Sequence, residues 1–207
     1  MGKIETYFSF LFTFYISIFN GISSDPSGAK YTVNVNNGSS LIITGFTNFG
    51  TFSCSYDINI LIDTLDIEIT KSDNGCLNFA NLQLNLPVSN FSCGNVIMNK
   101  DFRNLLNYKE YPEIEWQILC IDISNLNNWN VLRSDTLQVN TIMKIAGEKQ
   151  EYWIAVKVNK QDDRLSFSGN LPVNIRDFKL EPPHKVFGLV NVYPTINIGF
   201  SIKVNIL

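Results

Sequence analysis

From Lys30 onward, apolar and polar residues alternate at every second position, a period that belongs to β-strands with one face packed and one face wet. Tyr31, Val33 and Val35 alternate with Thr32, Asn34 and Asn36; Leu65, Ile67 and Ile69 with Asp66, Glu68 and Thr70; Leu82, Leu84 and Leu86 with Gln83 and Asn85. The pattern returns at Ile114, Trp116 and Ile118, then at Tyr152, Ile154, Val156 and Val158. It is longest from Ile196 through Ile198, Phe200, Ile202 and Val204 to Ile206. Asn37-Gly38, Asn48-Phe49-Gly50, Asp73-Asn74-Gly75 and Gly147-Glu148-Lys149 read as tight reversals between the runs. Many amphipathic strands at hairpin spacing predict an all-β fold, either a sandwich or a closed antiparallel barrel that leaves no open edge.

One stretch departs from period two. Phe102, Leu105 and Leu106 have helical spacing, with Asn99 as candidate N-cap and Asp101 in the first turn, which predicts a short amphipathic helix ending before Tyr111-Pro112. Alternation also weakens between Asn170 and Pro194, where Glu181-Pro182-Pro183-His184 reads as a long connection. At 207 residues, with no low-complexity linker and no repeat, one domain is expected.

Residues 1–23 read as a signal peptide and 24–207 as the domain. Lys3 is a weak basic n-region, Tyr7 to Ile22 form the apolar run, and Gly21-Ile22-Ser23 supplies the small residues for cleavage after Ser23. A membrane anchor would need about 20 apolar residues, whereas this run is shorter and interrupted by Ser9, Thr13, Ser17 and Asn20. The expected protein is therefore exported, periplasmic or secreted, and not transmembrane once cleaved. In that compartment Cys54, Cys76, Cys93 and Cys120 are free to form disulfides, with three full pairings open to them. The plainer reading of Cys120, inside Ile118-Leu119-Cys120-Ile121, is a small buried hydrophobe.

Composition narrows function mainly by exclusion. The net charge is −3 and no Lys/Arg cluster exceeds two residues, so the basic footprint of a nucleic-acid binder is missing. His184 is the single histidine, there is no Cys-x-x-Cys, and no metal site or cofactor is expected. No serine has a Gly-x-Ser-x-Gly frame, and Glu113 and Glu115 alternate with Ile114 and Trp116 as a solvated outer face does, so no catalytic residue is assigned. Asn37 and Asn90 head Asn-x-Ser sequons, which matter only in a host that glycosylates.

Three stretches resemble the YceI-like family of exported lipid- or polyisoprenoid-binding proteins, which are lipocalin-like antiparallel barrels. The first is Ser40-Leu41-Ile42-Ile43-Thr44-Gly45-Phe46-Thr47-Asn48 followed by Phe52-Ser53-Cys54, similar to the opening hairpin of a Cys-containing branch. The second is Phe91-Ser92-Cys93-Gly94-Asn95 with Met98, Asp101 and Phe102, leading into Tyr111-Pro112-Glu113-Ile114-Glu115-Trp116. The third joins Met143-Lys144-Ile145-Ala146-Gly147 to Arg176-Asp177-Phe178-Lys179-Leu180-Glu181-Pro182-Pro183, with Gly188 before the last strand. Gly94-Asn95 stands where many relatives carry an Arg-Asp pair, and the histidine of their early strand is absent.

The resemblance implies a closed barrel with one short helix, holding an apolar lipid such as a polyisoprenoid or fatty-acyl chain without catalysis. The ligand wall expected beside its most recognisable motif is Ile114, Trp116 and Ile118 with Ile198, Phe200 and Ile202. It also implies that Cys54 pairs with Cys93, since both lie in matching stretches. The alternative is a structural or protein-interaction module whose barrel is filled by side chains, because an apolar strand face looks the same either way. Apart from the lipid, the only partner left open is a second copy, in a homodimer.

Overall fold

The alternation becomes a sheet of thirteen antiparallel strands in a computed structural model that describes residues 28–56, 58, 64–71, 75–124, 134–161, 164–185 and 189–206. The expected leader, Asp73 and Asn74 of one turn, and Gly188 lie outside the described residues. In chain order the strands are β1 (Ala29–Val35), β2 (Ser40–Thr47), β3 (Gly50–Tyr56), β4 (Thr64–Lys71), β5 (Cys76–Phe79), β6 (Gln83–Pro87) and β7 (Phe91–Ser92). After helix α1 (Val96–Leu105) come β8 (Glu113–Asp122), β9 (Ser134–Ile145), β10 (Glu148–Gln161), β11 (Arg164–Asn174), β12 (His184–Lys185) and β13 (Val190–Ile206).

Eight strands close a ring in the order β1-β4-β5-β8-β9-β10-β11-β13, and Val33 opposite Ile206 and Val35 opposite Val204 complete it. The fold is a closed antiparallel barrel. Inward residues build the core: Ile154, Val156 and Val158 of β10 are buried, while Trp153, Ala155 and Lys157, which alternate with them, are exposed. The β9–β10 turn is the two-residue Ala146-Gly147, with φ of 48° and 85°, so Glu148 and Lys149 already belong to β10. We call the barrel end that carries this turn the top.

The top half of the wall is built differently from the bottom half. One edge of β13 takes β2 near the top, with Val192 opposite Thr47, and β1 near the bottom, with Val204 opposite Val35. One edge of β8 likewise takes β6 above, with Glu113 opposite Pro87, and β5 below, with Asp122 opposite Cys76. Among the described residues no ladder joins β3 to β6, so the wall is split at the top. The chain from Val88 to Pro112 fills the split: β7 pairs with β3 at Ser55 and Tyr56, and the Val88 amide donates to the Pro112 carbonyl at 2.8 Å.

Three local expectations are corrected. Asn37-Gly38 does not reverse the chain, because β1 and β2 both run antiparallel to β13. The segment loops out and returns to one residue, the Asn36 amide donating to the Lys203 carbonyl at 2.7 Å and the Lys203 amide to Ser39 Oγ at 2.9 Å. Cys120 is not a free hydrophobe, for it is bonded to Cys76. A bulge at Leu119, between Ile118 opposite Thr141 and Cys120 opposite Asn140, shifts the alternation, so Ile118 and Ile121 pack on the core and Cys120 turns to the neighbouring β5. Finally, α1 starts earlier than expected. Its N-cap is Asn95, whose side-chain oxygen accepts from the Met98 amide at 2.9 Å, while Asn99 accepts from the Cys93 amide at 2.6 Å.

Candidate lipid cavity

The top half of the barrel is hollow. A cavity of about 260 Å³ lies beneath α1 and beside the split. Its wall takes Leu41 and Ile43 from β2, Phe52 and Cys54 from β3, Leu86 from β6, Ile114 and Trp116 from β8, Met143 and Ile145 from β9, and Ile196 and Ile198 from β13. Met98, Phe102 and Leu105 of α1, with Leu106 just beyond it, form the cover. The segment after β11, with Ile175, Phe178 and Leu180, rims the cavity with Val190 and Tyr193 at the start of β13.

Each of these side chains is placed by strand parity or helical spacing. In β2, Leu41, Ile43 and Thr47 face inward at every second position, and the inward place between them is Gly45, where a Cβ would overlap the Phe52 ring. That glycine lets Phe52 lie across the strand and line the cavity. In α1, Met98, Phe102 and Leu105 recur at four and three residues, one face of a helix. The Cys54–Cys93 disulfide is buried in the wall and ties the segment that leads into α1 to β3.

The chemistry of the wall is almost entirely apolar. Asp101 is the one charged side chain in it among the described residues, and Thr47 and Tyr193 are its other polar members. Trp116 is 5% exposed, its Nε1 has no hydrogen-bond partner, and its ring meets Phe200 edge to face with centroids 5.3 Å apart. Beside Phe178 lies Tyr152, whose phenol is pushed up to about 12 by burial and then by the charge of Asp177. It is neutral at physiological pH. Among the described residues no three His, Cys, Asp or Glu side chains gather as metal ligands would.

Of the six residues expected at the ligand, Ile114, Trp116 and Ile198 line the cavity. Ile118, Phe200 and Ile202 lie lower and pack against the core. The boundary is the Trp116–Phe200 contact, made possible by Gly169, where a Cβ would come within 2.7 Å of the Phe200 ring. Sequence reading did not place the α1 residues, Met143 or Ile145 in the wall. The helical spacing of α1 was a usable signal, but nothing in it tells that its partner is a hollow and not a packed core. Cys54 and Cys93 are bonded, and Cys76–Cys120 is a second disulfide on the lower half. His184 and Lys185 form β12 against Val190 and Asn191, a short strand where a loop was expected.

No curated protein matches the chain in sequence. Among solved structures, it is similar to a polyisoprenoid-binding domain from Saccharophagus degradans implicated in plant cell wall breakdown, with a TM-score of 0.60 and 15% identity, covering 84% of this chain and 97% of that one. It is also similar to BcnA of Burkholderia cenocepacia, with a TM-score of 0.54 and 14% identity, covering 82% and 99%. At such identities the likeness is one of fold. The YceI-like domain model matches residues 25–204, and the chain belongs to that family.

Proposed function

We propose that this is an exported, non-catalytic binding protein that holds an apolar lipid, a polyisoprenoid or fatty-acyl chain, in the top half of its barrel. The observation that carries the reading is the hollow itself: inward residues of six strands and one helix meet around space, while lower down the inward residues of β8, β9, β10 and β13 pack in the core. Its volume of about 260 Å³ falls just below the range of small-molecule sites, about 300 to 1,000 Å³. An acyl or prenyl chain that buries about ten methylenes gains about 8 kcal/mol from area alone, the free energy of a micromolar Kd. No ionic contact is required. Two disulfides and the absence, among the described residues, of a helix long and apolar enough to cross a membrane fit an exported protein. The polyisoprenoid-binding domain of similar fold supports the prenyl version of the ligand.

The test is lipid extraction of the purified protein followed by mass spectrometry, with Leu105→Glu as the paired variant. Leu105 is only partly buried, so its substitution places a carboxylate against the ligand and leaves the strands intact. A co-purifying apolar lipid that is lost in Leu105→Glu is the expected result. Unchanged lipid content in the variant would move the ligand out of this cavity, and no lipid in either protein would favour the filled-barrel module.

A further inference from the structure

The outer face of α1 differs from the rest of the surface. Since Met98, Phe102 and Leu105 turn toward the cavity, the opposite stripe is left to Val96, Lys100 and Arg103, which line a surface groove with Asn99, Tyr108 and Lys109. The groove gathers Lys100, Arg103 and Lys109 with no carboxylate among its lining residues, in a chain whose net charge is −3. The carboxylates of this segment are turned elsewhere, Asp101 to the cavity wall and Glu110 to the Asn107 side-chain amide at 2.8 Å. Arg103 is anchored by donation from Nη2 to the Ser89 carbonyl at 3.0 Å, and its buried Nε has no hydrogen-bond partner. Next to the cations stand Val96 and Ile97, 83% and 73% exposed, at the first turn of the helix.

We propose that this face docks on an anionic phospholipid bilayer, with Val96 and Ile97 entering the headgroup layer and the three cations meeting phosphates. Exposed aliphatic residues beside a basic stripe on one short helix are the chemistry of an interfacial contact. Charge complementarity selects an anionic surface, and each Lys or Arg near it strengthens partitioning about fivefold. The location gives the contact a use. α1 covers the split between β3 and β6, so docking by its outer face sets this unladdered part of the top wall against the membrane, the source of any apolar ligand.

The test is co-sedimentation of the full chain with vesicles of phosphatidylcholine alone or mixed with phosphatidylglycerol, at low and high salt. Binding to the anionic vesicles that weakens with salt is expected. Lys100→Glu with Lys109→Glu should lower partitioning at least tenfold, and Val96→Ser with Ile97→Ser should lower it at either salt concentration. Lys157→Glu, an equal change of charge per site on exposed β10, should leave it unchanged. Equal binding by the α1 variants, an equal loss in Lys157→Glu, or no binding to anionic vesicles would overturn the proposal. Bound lipid measured on the same preparations keeps the two readings apart, because docking can fail while the cavity stays loaded.

Discussion

Trp116 stands at the floor of the cavity with an indole N–H that bonds to nothing, so removing that N–H sacrifices no hydrogen bond. Trp116→Phe should therefore cost less than about 1.5 kcal/mol of stability, whereas Trp116→Ala, which opens a void beside Phe200, should cost about 3–5 kcal/mol. Denaturant midpoints at constant m-value compare the two, and a Phe variant as damaged as the Ala variant would show that the N–H has a partner. A second residue is readable by pH. The Asp122 carboxyl is held below the usual carboxylate range first by the Ser124 hydroxyl at 2.6 Å and then by the Ser124 amide at 2.8 Å. A lowered folded value contributes stability that is complete above the unfolded carboxyl range and is lost as pH falls through the folded value. Ser124→Ala should raise the Asp122 titration midpoint, followed by NMR, and move acid unfolding toward higher pH. At this scale the sequence was informative where one face decides, as at Ile114, Trp116 and Ile198. It was silent on depth, since Ile118, Phe200 and Ile202 carry the same alternation and occupy the filled half.

Long alternating runs such as those of β10 and β13 were legible as strands, and several elements that escaped did so for reasons of packing. In β11, Leu165, Phe167, Leu171 and Val173 alternate, but Gly169 takes the place between them and breaks the apolar run. Gly169 is there to admit the Phe200 ring, not to turn the chain. The start of α1 was missed because Val96 and Ile97 lie on an exposed face, outside the apolar spacing of Phe102, Leu105 and Leu106. Pairing of the cysteines depends on the split wall, which no local pattern records. The two disulfides enclose similar lengths, with separations of 39 and 44 residues, and on the loop-entropy account each contributes about 4 kcal/mol. Their removal should nonetheless differ in kind. Cys54→Ser with Cys93→Ser frees the segment that fills the split, so amide exchange should accelerate through Cys93 to Leu106 beyond the global effect. Cys76→Ser with Cys120→Ser should leave that segment protected, because its bond joins two strands already paired in the ring. Hydrogen exchange read by mass spectrometry separates the two, and matching profiles would mean that the split is held by other contacts.

For the molecule as a whole, two surfaces of opposite character sit on the two sides of α1, an apolar wall within and a basic stripe without, and they should respond to solution conditions in opposite ways. Ligand held in the cavity gains its free energy from buried area, and among the described residues no histidine, lysine or arginine lines the wall. Histidine is the side chain whose ordinary titration falls between pH 6 and 8, so affinity for a fluorescent fatty-acyl or prenyl probe should change less than tenfold, about 1.4 kcal/mol, between those values. Salt should matter equally little to the probe, because Arg176 and Lys179 near the rim are engaged with Glu181 at 3.3 Å and Glu148 at 2.8 Å, and the relatives' Arg-Asp pair is Gly94-Asn95 here. Vesicle binding, by contrast, should weaken steadily as salt screens Lys100, Arg103 and Lys109. Titrating the same protein with probe and with anionic vesicles, at two pH values and two salt concentrations, isolates each surface. A probe affinity that falls tenfold with salt would place a charged group at the ligand, with Asp101, the one charged side chain of the wall among the described residues, and Arg176 near the rim as the residues to replace first.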